Sequence, residues 1–150
     1  MNKTQTLSIQ KKASMLYISR LYILNTNLFV SGTSAFTAKY NKIVLVDDVR
    51  FTDVLYNEGN DYNATIGVFT CRIPGIYWFS ATIYGSSIGY CYFLLNDKAT
   101  IYITFHNDIG TVSEVFRLKN GDRLQVGNCS KRMSSDGVTS FSGVLVKADE

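Results

Sequence analysis

From Ser34 to the carboxyl end, short apolar runs recur with turn residues between them, and no segment sustains a helical period. That rhythm limits the possible folds more than any other feature of the chain. In "GIYWFSATI", residues 75–83, Tyr77, Phe79, Ala81 and Ile83 fall on one face and Ile76, Trp78, Ser80 and Thr82 on the other. This is the two-residue period of a strand with one buried side. In "GVFTCRIPG", residues 67–75, Phe69, Cys71 and Ile73 share a face, so Cys71 reads as a small buried hydrophobe rather than a nucleophile. The two runs meet at Pro74-Gly75 and read as a hairpin, and Asn120-Gly121 within "VFRLKNGDRLQV" is a second, stronger hairpin signal. Further strand-like runs are "KIVLV", "YCYFLL", "TIYITF" and "FSGVLV". Many short strands at this spacing predict an all-β fold, an antiparallel sandwich or jelly roll.

Composition narrows the function classes. At 150 residues the chain fits one domain with a real core, and 46% apolar against 18% charged residues excludes a disordered chain. The net charge of +3 is spread without a basic stripe, so no nucleic-acid partner is expected. Cys71, Cys91 and Cys129 form no CxxC pair, and with a single histidine, His106, no zinc set is recognisable. The odd cysteine count leaves one thiol unpaired unless it bridges to another chain, and a Cys71–Cys129 pairing stays open. His106 has no nucleophile or carboxylate motif around it, and no glycine-rich phosphate loop or HExxH occurs. No enzyme activity is expected. Asn2, Asn63 and Asn128 open Asn-x-Ser/Thr triplets, which permit a secreted protein.

Residues 1–32 form a lead-in. The run "MLYISRLYILNTNLFV", residues 15–30, follows Lys11-Lys12 in the manner of a signal peptide, but Arg20, Asn25 and Asn27 interrupt it. The reading is an extended or helical lead-in, with a degenerate signal peptide as the alternative. The run is too short and too polar for a membrane span, and no membrane insertion is expected.

From Phe51 the chain resembles the signature of the complement C1q globular domain, in the C1q/tumour-necrosis-factor-like superfamily. Phe51, Asn57, Tyr62, Phe69, Gly75, Tyr77 and Phe79 fall at the signature spacings, and Ala81, where an aromatic belongs, is the one departure. "SAFTAKY" at 34–40 looks like the family's first strand, "VFRLKNGDRLQV" like its Leu-x-x-Gly-Asp strand pair, and "SFSGVLV" at 140–146 like its closing strand. Phe141, Gly143 and Leu145 alternate as a buried strand should, and small Gly143 permits close approach.

The resemblance implies a jelly roll of about ten strands over residues 33–150, assembled as a homotrimer. It also implies a non-enzymatic, extracellular recognition protein of innate immunity that binds glycans or microbial surfaces in a lectin-like manner. The alternative is a cytokine-like or adhesion ligand that engages a protein receptor between protomers. No Gly-X-Y repeat precedes the domain, so the chain looks like a stand-alone head without a collagen stalk. Cys91 matches one half of the family's internal disulfide, but His106 stands where the other half belongs, so the resemblance implies that this bridge is lost. Some relatives bind calcium in the loop that follows. Here only Asn107 and Asp108 offer oxygen there, against the six to eight that calcium takes, so no cofactor is expected, with a calcium ion near Asn107 and Asp108 as the alternative. The candidate ligand contacts are Asn107, Asp108, Lys131, Arg132 and Asp136, chosen for polarity in loops. The two cations suit anionic sugars or phosphates, while Asp136 and Asn107 would accept from sugar hydroxyls.

Overall fold

A computed structural model describes residues 32–40, 49–85, 87–106, 108–130 and 138–149, together with Gln10, Lys12, Ser14 and Met15. The chain divides into two compact units, Met1–Ser31 and Gly32–Glu150. In the first unit those four residues have helical backbone. Among the described residues no helix is long and apolar enough to cross a membrane. The "KIVLV" run lies outside the described residues.

The second unit is an antiparallel jelly roll of ten described strands: β1 (Ala35–Lys39), β2 (Asp53–Glu58), β3 (Tyr62–Asn63), β4 (Val68–Thr70), β5 (Gly75–Tyr84), β6 (Gly89–Leu95), β7 (Lys98–Phe105), β8 (Ile109–Leu118), β9 (Arg123–Gly127) and β10 (Ser140–Ala148). One sheet runs β2-β1-β10-β5-β8 and the other β3-β4-β9-β6-β7. Alternation within most of the strands turns one set of side chains inward, and the two inner sets make a single core, to which the exposed β2 adds nothing.

That core is aromatic. Phe79 on β5 lies within 6.3 Å, centroid to centroid, of Phe36, Phe69, Tyr77, Phe116 and Phe141. Tyr77, Phe79, Ala81 and Ile83 are fully buried, as the alternation of β5 predicts. Ala81 replaces the signature aromatic on this inner face, opposite Phe141. Gly143 on β10 is small for a packing reason: a Cβ there would meet the Phe79 ring at 2.4 Å and the Phe36 ring at 2.7 Å. The close approach that Gly143 permits is therefore made by rings.

The remaining signature residues hold the strands in place. Asn57 donates its amide to the Tyr62 carbonyl (2.8 Å) and accepts from the Tyr62 N–H (3.2 Å), standing in for a strand partner. The buried Tyr62 hydroxyl donates to the Phe51 carbonyl at 3.0 Å. A side chain at Gly75 would run into the β10 backbone at Lys147 and Ala148.

Both predicted hairpins are corrected. β4 and β5 belong to different sheets, and so do β8 and β9, so Pro74-Gly75 and Asn120-Gly121 mark corners where the chain crosses the sandwich. The local chemistry of a reversal is real in each: Gly121 has φ 87°, and the Asp122 N–H donates to the Lys119 carbonyl. What sends the strands apart is a contact between the two corners. Gly121 N–H donates to Cys71 O, and Cys71 N–H donates to Asp122 O, each at 2.8 Å. The Tyr77 hydroxyl and the Cys71 thiol both donate to the Ile73 carbonyl, which pins the first crossing. Burial pushes the titration of Tyr77, Tyr62 and Cys71 upward, so all three stay neutral. Asp122 titrates low because the Lys119 N–H and the Asn96 amide donate to its carboxylate. Consecutive strands do pair in β3–β4 and in β6–β7, whose Asn96-Asp97 turn has φ of 50° and 65°, the sign pattern of a type I′ turn.

The expected loss of the disulfide is also corrected: Cys91 is bonded to Cys129 (S–S 2.03 Å), and Cys71 is the free, buried thiol. β6 has two neighbours, β7 and β9. Cys91 points inward, opposite Ile103 on β7. Its partner comes from the β9 side, where Tyr92 pairs with Gly127 and Asn128 turns the chain at φ 50°. His106 on the β7 side has no bearing on this bridge.

Candidate functional site

The strands that carry the candidate loop residues end on one side of the sandwich. Tyr84 at the end of β5 faces Ile109 at the start of β8, and Phe105 at the end of β7 faces Gly89 at the start of β6. Two glycines let these ends close up. A Cβ on Gly85 would meet the Phe105 ring at 2.3 Å, and one on Gly110 would meet the Thr104 carbonyl. Thr139, fully buried, ties three strands there: its hydroxyl accepts the Tyr84 N–H at 2.9 Å and its carbonyl accepts the Tyr40 N–H at 2.9 Å.

Of the candidate contacts, Asp108 alone lies among the described residues; Asn107, Lys131, Arg132 and Asp136 lie outside them. Asp108 is exposed, and its main-chain carbonyl accepts the Gly85 N–H at 3.1 Å, which leaves its carboxylate facing solvent at the end of the sandwich. His106, one residue past β7, is exposed as well. Among the described residues no group of three or more His, Cys, Asp or Glu could hold a metal ion. Asp108 can supply one carboxylate to calcium, well short of the usual shell.

Residues that frame this end went unread in the sequence. Ser130 grips Tyr90 twice: its N–H donates to the Tyr90 carbonyl at 2.8 Å and its hydroxyl accepts the Tyr90 N–H at 2.9 Å. Together with the disulfide one residue away on each strand, this anchors the beginning of the segment that carries Lys131, Arg132 and Asp136. Only the cysteine count hinted at it. Thr139 left no signal, since a buried threonine and a loop threonine read alike.

A second surface lies on the outer face of the β2-β1-β10-β5-β8 sheet. The strand registers place Ala35, Val144, Trp78 and Val115 side by side across four strands. Val144, Trp78 and Val115 are all exposed. The next row is Thr37, Ser142, Ser80 and Ser113, joined by Ser142–Thr37 (3.1 Å) and Ser113–Ser80 (2.9 Å) hydrogen bonds. On the other side, toward the chain terminus, Ile76, Arg117, Lys147, Ala148 and Asp149 line a shallow cleft in which Arg117 pairs with Asp149. An exposed apolar row between polar ones on a paired sheet suits contact with another protein surface.

The described strands thus form a two-sheet jelly roll, with Asp108 exposed at one end and an apolar row on one sheet face. Residues 35–146 match the family model of the C1q domain, and the chain belongs to that family. Among its relatives, mouse complement C1q tumor necrosis factor-related protein 2 is 32% identical over 115 residues, covering 68% of this chain and 38% of the relative. The mouse collagen alpha-1(X) chain is 30% identical over 144 residues, covering 86% and 21%. A complement C1q subcomponent of rat is 32% identical over 108 residues, covering 67% and 44%. The chain therefore spans less than half the length of each of these relatives. The globular domain of zebrafish complement 1qA superposes with a TM-score of 0.64 at 19% identity, over 77% of this chain and 99% of that one. Murine APRIL superposes with 0.61 at 14% identity, over 76% and 99%. These two likenesses concern the fold.

Proposed function

We propose that this protein is a secreted, non-enzymatic recognition protein of innate immunity that binds glycans or microbial surfaces as a homotrimer. The observation that carries the reading is the match to the C1q domain over residues 35–146, with a complement subcomponent among the relatives. A Cys91–Cys129 disulfide supports secretion, because such bonds persist in oxidising compartments. The Ala35–Val144–Trp78–Val115 row supports self-association, since a closed cyclic assembly would cover that face without leaving a surface that propagates. Three copies would then multiply weak single-site contacts into useful avidity. The ligand contacts in this reading are Asn107, Asp108, Lys131, Arg132 and Asp136, with the two cations reading anionic sugars or phosphates.

The test is light scattering combined with a glycan array. A mass three times that of the chain at micromolar concentration, and binding to polysaccharide that weakens in Lys131→Ala/Arg132→Ala, are the expected results. A monomer would reject the assembly. Unchanged binding by the double variant would reject the basic contacts. Capture of a defined receptor ectodomain without any glycan binding would favour a receptor ligand instead.

A further inference from the structure

The outer face of the other sheet carries three tyrosines that the core does not use. Tyr90 and Tyr92 on β6 and Tyr102 on β7 point outward, with Tyr92 directly opposite Tyr102 and Tyr90 opposite Thr104. Their rings form a ladder: Tyr90 to Tyr92 at 5.5 Å and 77°, Tyr92 to Tyr102 at 6.4 Å and 64°. Tyr102 is 64% exposed and Tyr90 43%. By contrast, the two deeply buried tyrosines, Tyr62 and Tyr77, each donate their hydroxyl to a backbone carbonyl. No hydrogen bond within the described residues takes the hydroxyls of the ladder.

We propose that the Tyr90–Tyr92–Tyr102 ladder is a stacking platform for uncharged hexose rings; this rests on the glycan reading proposed above. Three observations favour this platform, the first of them specifically for a neutral sugar. First, the outward positions beside the rings are uncharged: Thr104 on β7, and Gln125 and Gly127 on β9. A sugar ring has an apolar C–H face and a rim of hydroxyls, and a phenol matches both, with an apolar ring and one donor–acceptor group. Second, neighbouring rings are steeply inclined to one another, so the ladder offers a stepped surface and not a flat one that another sheet would cover. Third, the platform is rigid. Ser130 holds the Tyr90 backbone through two hydrogen bonds, and the disulfide fixes Cys91 between Tyr90 and Tyr92. Rings already held in place lose little freedom on binding.

The experiment measures binding of the full chain to two immobilised polymers, neutral mannan and anionic dextran sulfate. It compares the wild type with Tyr90→Ser/Tyr102→Ser and with Tyr102→Phe. Both positions are exposed, so the thermal midpoint should move by no more than a few degrees, which is checked on the same samples. Expected is a loss of about tenfold in mannan affinity for the double variant, of the size that one good contact contributes. Tyr102→Phe should lie between the two, and dextran sulfate binding should be unchanged. If the wild type binds mannan and the double variant binds it equally, the platform is refuted while the glycan reading stands. Wild-type binding confined to dextran sulfate refutes it in the same way. A changed oligomeric state in the double variant would make the ladder an assembly contact and overturn the proposal. Failure of the wild type to bind any glycan on an array would remove the functional reading and the platform together.

Discussion

Replacing Cys129 with serine cuts the tie between β6 and the chain beyond β9. The bridge closes a loop of 38 residues. In the chain-entropy account, closing a loop of that length restricts the unfolded chain by about 13 cal/mol/K, or about 4 kcal/mol at 25 °C. The variant should therefore be about 4 kcal/mol less stable, with a thermal midpoint lower by roughly 10–20 °C for a domain of this size. Urea unfolding followed by tryptophan fluorescence gives the free energy. The same curve for the wild type in dithiothreitol should shift in the same direction. Cys71→Ser, which leaves the bridge intact, serves as the control for losing a buried thiol. The reasoning is refuted if Cys129→Ser and wild type unfold together, or if alkylation under denaturing, nonreducing conditions labels Cys91 and leaves Cys71 protected.

Phe79→Ala removes the ring at the centre of the core and should cost about 3–5 kcal/mol by urea unfolding; a normally melting variant would contradict the inward facing of β5. Gly143→Ala drives a methyl group into the Phe79 and Phe36 rings and should cost about 1–3 kcal/mol, with Gly121→Ala, whose Cβ meets nothing within 4 Å but whose φ is positive, as a backbone comparison. Tyr62 and Tyr77 ionise late because burial disfavours the phenolate, so their contribution to stability is complete below the unfolded value near pH 10 and is lost as pH rises toward their folded values. Ultraviolet titration should then show two phenols ionising only as the domain unfolds, and ionisation of all ten tyrosines in one native step near pH 10 would contradict it.

Strands with one buried face were legible: the alternation in β5 placed Tyr77, Phe79, Ala81 and Ile83 inside, and the structure agrees residue for residue, whereas β2, exposed almost throughout, gave no such signal. Reversals were legible as well, but not their consequences. Asn120-Gly121 and Pro74-Gly75 announce that the chain turns, whereas the sheet that each strand then joins depends on the bonds between Cys71, Gly121 and Asp122, about fifty residues apart in the chain. The disulfide was misjudged for a related reason. A family position was followed along β7 to His106, while Cys91 has β9 as its other neighbour. Polarity in loops selects residues that face water, which brought out Asp108 and its companions. It passes over exposed aromatics such as Tyr90 and Tyr102, because an outward tyrosine in a strand looks the same in sequence as one packed into a core.

Recognition of a microbial surface is tested most directly by incubating the purified protein with intact bacteria, sedimenting them, and adding free polysaccharide as competitor. The expected result is co-sedimentation that falls as the soluble glycan rises, and that is stronger for the trimer than for a variant held monomeric by Trp78→Glu on the apolar row. Protein that stays in the supernatant at every concentration, or that sediments without any competition by glycan, would contradict it.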